Sequence, residues 1–227
     1  MLPRLLEPEV MDSAEEARDY DAMDHGTVNG VFVKDLLDLH PDTRLILDVG
    51  TGTAQIPIAL CRQTADVHIV GIDRAVQMLL VGNANVLRAG LPARIQLEAC
   101  DAKRMPFADG QFSAVISNSI VHHIPQPPDV LSEMIRVAAP GGIVFVRDLL
   151  RPENHAQAER LVQMYAGTAN QHQQKMFRDS LHAALNLSEM AALVKDLDCS
   201  SSTLRQTSDR HWTWTATKQG LRHKAPE

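Results

Sequence analysis

The stretch LDVGTGTAQIPI, residues 47–58, decides the fold. It begins inside a short apolar run, residues 44–49, which closes on Gly50-Thr51-Gly52 as a buried parallel strand does. A helical pattern follows at 54–63. The two glycines allow a sharp turn and leave backbone amides bare, so a ligand can approach them closely. In an open α/β sheet, the carboxyl ends of the strands are where ligands bind.

Strand-like and helical segments alternate around this stretch. Short connections between such segments produce right-handed βαβ units and a parallel, doubly wound sheet. The chain closes with two β-prone runs, 202–207 and 211–217, joined by a turn, which predict an antiparallel hairpin. The predicted fold is therefore α/β, with a Rossmann-like seven-stranded sheet. Its other strand patterns lie at 67–72, 93–98, 113–117 and 143–147, where the last follows a predicted Pro-Gly-Gly turn at 140–142.

Helical patterns flank the sheet pattern on both sides. Residues 1–40 combine a cap residue followed by acids with an apolar face at 28–39, and they predict an N-terminal helical cap. Residues 41–217 form the predicted main domain, in which about 152–195 form a helical insertion after the fifth strand. Residues 218–227 form a polar tail that we expect to fray.

The composition disfavours several classes of protein. The 227 residues carry 22 Lys and Arg against 28 Asp and Glu, and a net charge of −6 disfavours a nucleic-acid partner. No apolar run approaches the roughly 20 residues that cross a bilayer, and the N-terminus lacks a signal-peptide core. The three cysteines are widely spaced without a CxxC pair, so neither a zinc site nor a disulfide framework is expected. We expect a soluble cytoplasmic protein without a membrane or nucleic-acid partner, and the oligomeric state stays open.

Asp73 ends the second strand pattern, 25 positions after Asp48. A carboxylate in that place can accept both ribose hydroxyls of a nucleoside. This spacing alone fits a nicotinamide dinucleotide as well as other nucleosides. Two details disfavour the dinucleotide. Gln55 stands where its fingerprint has a third glycine, and Asp48 would repel a pyrophosphate but could orient an ammonium group.

Five motifs, in order across residues 44–146, carry a family resemblance. Residues 47–58 resemble motif I of the class I S-adenosylmethionine-dependent methyltransferases, and GIDRAVQML (71–79) is similar to their second motif. The pattern most resembles the small-molecule branch often labelled type 11. That family fold commonly adds an N-terminal cap and an insertion after the fifth strand. The other similar segments are CDAKRMPFADGQFS (100–113), ISNSIVHHI (116–124) and RVAAPGGIVFV (136–146).

The resemblance implies S-adenosylmethionine as the methyl donor and S-adenosylhomocysteine as the product. It implies that Asp73 holds the ribose, that Asp48 orients the methionine ammonium and that Asp101 and Ala102 lie against the adenine. It also places Asn118, at the end of the fourth strand, beside the point of methyl transfer. Each acid could instead cap a turn. The expected cofactor-binding residues are Asp48, Gly50, Thr51, Gly52, Asp73, Arg74, Asp101, Ala102 and Asn118.

His122 and His123 are the candidate catalytic residues. Imidazole titrates near neutral pH, so either could take a proton from an acceptor. The alternative is that one packs or caps a turn, because adjacent side chains rarely both face one site. Transfer from a sulfonium needs little acid–base help, and in-line alignment supplies much of the acceleration. Enzymes that methylate base amines typically carry Asn/Asp-Pro-Pro-aromatic where this chain has Asn118-Ser-Ile-Val, so that subclass is disfavoured.

The substrate-pocket candidates come from the flanking helices and the last strands. Asp148 together with Asn118 resembles the metal-dependent catechol-type branch, but the full ligand set is not apparent and no metal is expected. Trp212 and Trp214 share one strand face, where tryptophans are more often core than pocket residues. The candidates are Tyr20, Asp24, His25, Arg147, Asp148, Tyr165, Trp212 and Trp214.

The sequence therefore predicts a methyltransferase that acts on a small molecule by in-line SN2 displacement. The acceptor atom stays open among oxygen, nitrogen, carbon and sulfur. Three alternatives also stay open: a protein or RNA methyltransferase, an NAD-dependent oxidoreductase, and a non-catalytic protein that binds S-adenosylmethionine.

Overall fold

A seven-stranded sheet, ordered β3-β2-β1-β4-β5-β7-β6, organises the chain. The computed structural model describes residues 2–7, 12–23, 25–195, 197 and 199–219, so Asp24 and the tail 220–227 lie outside the described residues. The strands are β1 (Leu45–Val49), β2 (His68–Asp73), β3 (Ile95–Ala99), β4 (Phe112–Asn118), β5 (Ala138–Leu149), β6 (Cys199–Gln206) and β7 (His211–Lys218).

The pairing of the strands confirms the predicted fold class. Strands β1 to β5 pair in parallel, whereas β7 runs antiparallel to both β5 and β6. The sheet order reverses beside β1, between its neighbours β2 and β4, which is the topological position where α/β sheets bind ligands.

The start of β5 differs from its prediction. The strand begins at Ala138 rather than 143, and the predicted Pro-Gly-Gly turn lies inside it. The register shifts between Phe112 and Ala114 of β4, and Gly141 adopts a φ of +79°. A Cβ on Gly142 would lie 2.8 Å from the Ala139 carbonyl oxygen and 2.9 Å from that of Ser113. The glycines therefore make an irregularity within the strand instead of ending it.

Helices cover both faces of the sheet. They are α1 (Ala14–Ala22), α2 (Gly26–Leu37), α3 (Gln55–Gln63), α4 (Val76–Arg88), α5 (Pro127–Val137), α6 (His155–Ala166), α7 (Gln171–Ala183) and α8 (Leu187–Val194), with a short 3-10 helix at Val121–His123. Successive side chains of β1 point to opposite faces of the sheet, so Ile46 packs in one apolar cluster and Leu47 in the other. None of the described helices is long and apolar enough to cross a membrane.

The segment after β5 folds as three helices, each begun by an asparagine. Asn154, Asn170 and Asn186 accept a hydrogen bond from the backbone N–H three residues later, which satisfies an amide that the helix leaves unpaired. Leu149 at the end of β5 packs with Leu161 of α6 and with other apolar side chains of α6 and α7. This packing holds α6 and α7 beside the carboxyl end of β5.

The N-terminal segments contact the main domain at two places. Ser13 forms a capping box with Glu16 at the start of α1, and Ala17 packs against Ala75 and Met78 beside α4. The extended residues 2–7 lie next to α7, where the Leu5 amide donates to the His182 carbonyl oxygen at 3.1 Å. Both N-terminal segments therefore border the carboxyl edge of the sheet.

Candidate functional site

A cleft opens at the carboxyl ends of β1, β2 and β4. It encloses about 800 Å³ including its open mouth. Of the nine predicted cofactor residues, seven line it, while Asp48 and Thr51 are buried and do not belong to the lining. The seven are Gly50, Gly52, Asp73, Arg74, Asp101, Ala102 and Asn118, and the other lining residues are Tyr20, Ile72, Ala75, Met78, Cys100, Ser119, Ile120, His123 and Ile124.

The loop after β1 needs its glycines. Gly50 and Gly52 have φ values of +76° and +52°, in the left-handed region that side chains disfavour. A Cβ on Gly50 would lie 2.0 Å from Cγ2 of Ile120, so the loop at the end of β4 packs directly on the bare backbone. The amides of Gly50 and Thr51 both donate to the Ile72 carbonyl oxygen, at 2.8 and 2.9 Å. These contacts fix the loop against β2.

Asp73 at the end of β2 is held by two backbone amides. Its Oδ2 accepts from Gly52 at 2.9 Å and its Oδ1 from Ala75 at 2.8 Å. Burial raises the pKa of Asp73, and the hydrogen bonds from Ala75 and Gly52 oppose the rise. A carboxylate has about four acceptor positions, so these backbone bonds leave capacity for further donors. Because Asp73 lines the cleft, those donors can be hydroxyls of a ligand.

Asp48 is a buried carboxylate with an unpartnered oxygen. Its residue is 2% exposed, and Oδ2 has no hydrogen-bond partner among the described residues. Burial raises the pKa of Asp48 to about 7, the neighbouring Thr51 hydroxyl opposes the rise, and the negative charge of Asp73 adds to it. An unpaired buried charge is costly, so a cation beside this loop would be stabilised by Asp48. The arrangement suits the ammonium group that the sequence predicts here.

Tyr20 of α1 closes one side of the cleft. Its ring lies 4.6 Å from the ring of His25, whose Nε2 is 3.1 Å from the Tyr20 carbonyl oxygen. Burial raises the pKa of Tyr20 to about 12, and the negative charges of Asp73 and Asp48 contribute. The hydroxyl is therefore protonated at neutral pH. Of the predicted substrate residues, Tyr20 lines the cleft, whereas His25 packs against the Tyr20 ring and does not belong to the lining.

His122 and His123 differ in their surroundings although they are adjacent. His122 is 2% exposed, and its Nδ1 lies 2.5 Å from Oδ1 of Asp148, whose Oδ2 accepts from the His122 amide at 3.1 Å. Burial lowers the pKa of His122, but Asp148 and Glu7 outweigh it and raise the pKa overall. Burial and the neighbouring His122 lower the pKa of His123 to about 3. Of these two predicted catalytic residues, only His123, as a neutral imidazole, lines the cleft.

Five other predicted substrate residues do not reach the cleft. Arg147 is buried under α2, where it donates to Asp35 at 2.5 Å and to Thr213 at 2.9 Å, and Asp148 is committed to His122. Trp212, like Trp214, is fully buried in the core. These strand residues lie in buried layers rather than in the cleft, as the alternative core reading of the tryptophans has it, because β5 and β7 carry their side chains there.

Tyr165 is the fifth of these residues, and it lies on the outer surface of α6. It is 43% exposed, its hydroxyl donates to Asp209 at 2.7 Å, and Arg210 stacks over its ring. It is placed by contacts with the β6–β7 turn. The buried face of this helix carries Ala158, Leu161 and Val162, and Tyr165 lies outside that face.

The sequence reading missed the residues that build the far end of the cleft. Ser119 adopts a φ of +60° directly after Asn118 and turns the chain toward the 3-10 helix. Arg4 donates to the carbonyl oxygens of Ala183, His122 and Ile124 at 2.7, 3.1 and 3.1 Å. The extended segment 2–7 has no periodic pattern that could have placed it, so only the three-dimensional contacts reveal its role.

The chain matches the model of a family described as "Methyltransferase domain" over residues 39–219. It is 32% identical over 110 residues to the ubiquinone/menaquinone biosynthesis C-methyltransferase UbiE of Geobacter sulfurreducens. It is 31% identical over 108 residues to the demethylmenaquinone methyltransferase of Bacteroides fragilis. Each match covers 48% of this chain, and 43% and 44% of the respective relative, so this chain aligns with less than half the length of either protein.

Solved structures of similar architecture confirm the fold. A SAM-dependent methyltransferase from Aquifex aeolicus superposes with a TM-score of 0.68 at 15% identity, over 90% of this chain and 98% of that one. The Haemonchus contortus phosphoethanolamine N-methyltransferase 2, in complex with phosphomonomethylethanolamine and S-adenosylhomocysteine, gives a TM-score of 0.70 at 14% identity. That likeness covers 92% of this chain and 58% of the other.

Proposed function

This chain belongs to the methyltransferase-domain family, and we propose that it transfers a methyl group from S-adenosylmethionine to a small-molecule acceptor. One observation carries the proposal: a buried carboxylate with one unpartnered oxygen, Asp48, and a cleft-lining carboxylate, Asp73, flank the same glycine loop. An ammonium group and a ribose are what two such acids can bind at this edge of the sheet.

The donor end of the cleft, which we define as Gly50, Gly52, Asp73, Asp101 and Ala102, would bind the nucleoside. Asp73 accepts the ribose hydroxyls while Gly52 and Ala75 hold its carboxylate in place. Asp101 is oriented by the Lys103 amide at 2.9 Å and presents its remaining acceptor positions to the adenine amino group. S-adenosylmethionine supplies an electrophilic methyl group on a sulfonium, and these residues fix where that methyl points.

The acceptor end of the cleft, which we define as Asn118, Ser119, Ile120, His123 and Ile124, would bind the second substrate. Catalysis here comes mainly from holding the nucleophile in line with the S–CH₃ bond. His123 is neutral, and because its pKa is lowered to about 3 it is a weak base, so it would orient the acceptor by hydrogen bonding rather than take its proton. Ile120 and Ile124 supply an apolar wall that excludes water from a flat or apolar acceptor.

The acceptor class is proposed as a small, partly apolar molecule. The curated relatives carry names of quinone-biosynthesis C-methyltransferases, which makes demethylated quinone rings the first class to test. The net charge of −6 disfavours a nucleic-acid acceptor. We also propose a cytoplasmic protein, where its three free cysteines stay reduced. Residues 1–40 and about 152–195 would serve as the cap and the insertion around a main domain that ends near residue 217.

A transfer assay tests this proposal. The protein is incubated with methyl-labelled S-adenosylmethionine and a panel of demethylated quinone rings, catechols, amines and thiols, and both labelled product and S-adenosylhomocysteine are measured. We expect stoichiometric formation of both with at least one class, and loss of both in Asp73→Ala. Donor binding without transfer to any member of the panel would contradict the proposal and favour a non-catalytic binding protein.

A further inference from the structure

Three metal-ligating side chains meet beside the acceptor end of the cleft. Glu7 comes from the extended N-terminal segment, and His122 and His123 come from the 3-10 helix after β4. Oε1 of Glu7 lies 3.1 Å from Nδ1 of His123 and 3.6 Å from Nε2 of His122, and the three atoms lie within 4.8 Å of one another.

These separations are close to those between donors around one small ion. Zinc binds histidine nitrogen and carboxylate oxygen at about 2.0–2.2 Å, so neighbouring donors of a tetrahedral site lie about 3.3 Å apart. Two histidines and one carboxylate are also the ligand set of many catalytic metal sites, in which a further position stays open.

The contacts within the cluster leave the ring nitrogens that face Glu7 without well-formed hydrogen bonds to it. Nδ1 of His123 is buried and has no hydrogen-bond partner among the described residues, because the 3.1 Å contact with Glu7 is misaligned for one. Nε2 of His122 lies too far from Glu7 for a hydrogen bond. The side chains of Glu7, His122 and His123 are only 14%, 3% and 17% exposed, so water does not readily replace the missing partners.

The surroundings hold these ligands in place. Asp148 lies 2.5 Å from Nδ1 of His122, which directs Nε2 of the same ring toward Glu7, as carboxylates do behind metal-bound histidines. Ser180 of α7 donates to Oε1 of Glu7 at 3.0 Å. Arg4, the cation next to the cluster, is bound to three backbone carbonyl oxygens and anchors the segment that carries Glu7.

We propose that Glu7, His122 and His123 bind one divalent transition-metal ion, with Asp148 positioning His122. Because His123 and Ile124 line the cleft, the ion would lie in the wall of its acceptor end. An acceptor oxygen or sulfur bound to such an ion loses its proton more readily and becomes a better nucleophile. This last role rests on the proposed methyl transfer, whereas the metal site itself does not. The sequence did not suggest the site because Glu7 is remote from the histidines in the chain.

The site is tested by metal binding to the purified, untagged chain in the absence of S-adenosylmethionine and of any methyl acceptor. Calorimetry with Zn²⁺ and visible absorption with Co²⁺ are expected to show one ion per chain, with the Co²⁺ spectrum of nitrogen and oxygen ligands. Glu7→Gln and His123→Ala should each weaken binding at least tenfold. Asp148→Asn should weaken it less than the loss of a ligand does, by about tenfold or below.

Two matched variants keep this test sharp. His172→Ala removes a surface histidine that pairs with Asp19, and Cys100→Ser removes a thiol in the cleft, so both should retain metal affinity. S-adenosylhomocysteine affinity near that of the wild type confirms that each ligand variant is folded. The proposal is overturned if Zn²⁺ does not bind at millimolar concentration, or if Glu7→Gln and His123→Ala leave metal affinity unchanged. Loss of metal binding in Cys100→Ser would also overturn it.

Discussion

The two ends of the cleft are built in different ways. The donor end is local, because Gly50, Gly52 and Asp73 come from two adjacent strands and are joined by backbone hydrogen bonds of 2.8–2.9 Å. The acceptor end is one contiguous segment, residues 118–124, but its surroundings come from distant parts of the chain, since Glu7 and Arg4 reach the 3-10 helix from the N-terminus. The first depends on backbone geometry and the second on side-chain contacts between separate elements.

This difference separates the features that bind the methyl donor from those that would select the acceptor. Backbone turns and one carboxylate can bind the nucleoside of the methyl donor whatever the acceptor is. The donor end therefore requires little beyond the strand–loop–strand unit. Under the proposed function, recognition of the acceptor would depend on the side chains at the acceptor end of the cleft. Substitutions at the donor end should therefore change cofactor affinity, and those at the acceptor end should leave it nearly intact.

The largest effect is expected from Gly50→Ala. The new Cβ would overlap Ile120 at a φ of +76°, so the loop must move, and affinity for S-adenosylhomocysteine should fall about a hundredfold or more. Calorimetric titration measures the loss. Gly141→Ala is the matched control, because Gly141 has a φ of +79° but no atom within 4 Å of its Cβ position. Equal losses in the two variants would mean that the Gly50 loop is not a ligand contact.

The next largest effect is expected from Asp73→Ala. Hydrogen bonds to a charged group contribute about 1.5–3 kcal/mol, so removal of the carboxylate should weaken binding of the same ligand tenfold or more. Asp42→Ala, which removes an exposed partner of Arg44 ahead of β1, should not change affinity. A folded Asp73→Ala protein with wild-type affinity would remove Asp73 from the site.

A smaller effect concerns pH. The pKa of Asp48 is about 7, so below that pH the free protein holds a proton there, and an ammonium ligand must displace it. Affinity for S-adenosylhomocysteine should therefore rise about fivefold or more between pH 6 and pH 7.5 and then level off. In Asp48→Asn this rise should vanish. A pH profile that Asp48→Asn leaves unchanged would show that Asp48 does not pair with the ligand.

The smallest effect on cofactor binding is expected from Arg4→Gln. This change removes three hydrogen bonds that hold residues 2–7 at the acceptor end, and it should alter S-adenosylhomocysteine affinity by less than about twofold. Hydrogen exchange at the Leu5 amide, which donates to His182, should become faster. Arg178→Gln, on the exposed pair with Glu159, should change neither quantity. A tenfold loss of cofactor affinity in Arg4→Gln would mean that the two ends are not separable.

The same difference explains what the sequence could predict. The first strand, the glycine turn and Asp73 are close in sequence. Their steric and hydrogen-bonding requirements restrict which residues can stand there, so the predicted strands and turn match the observed ones. The side chains of Arg147 and Trp212 point away from the cleft because of how β5 and β7 pair, which no local pattern reports. Glu7 lies in an extended segment, where neither a helical nor a strand period exists to place it.

Direct titration of the unmodified protein with S-adenosylmethionine, S-adenosylhomocysteine and NAD tests the central claim, that the cleft is a methyl-donor site. We expect both adenosyl ligands to bind one per chain in the micromolar range and NAD not to bind. Binding of NAD with neither adenosyl ligand, or binding of none of the three, would contradict the claim.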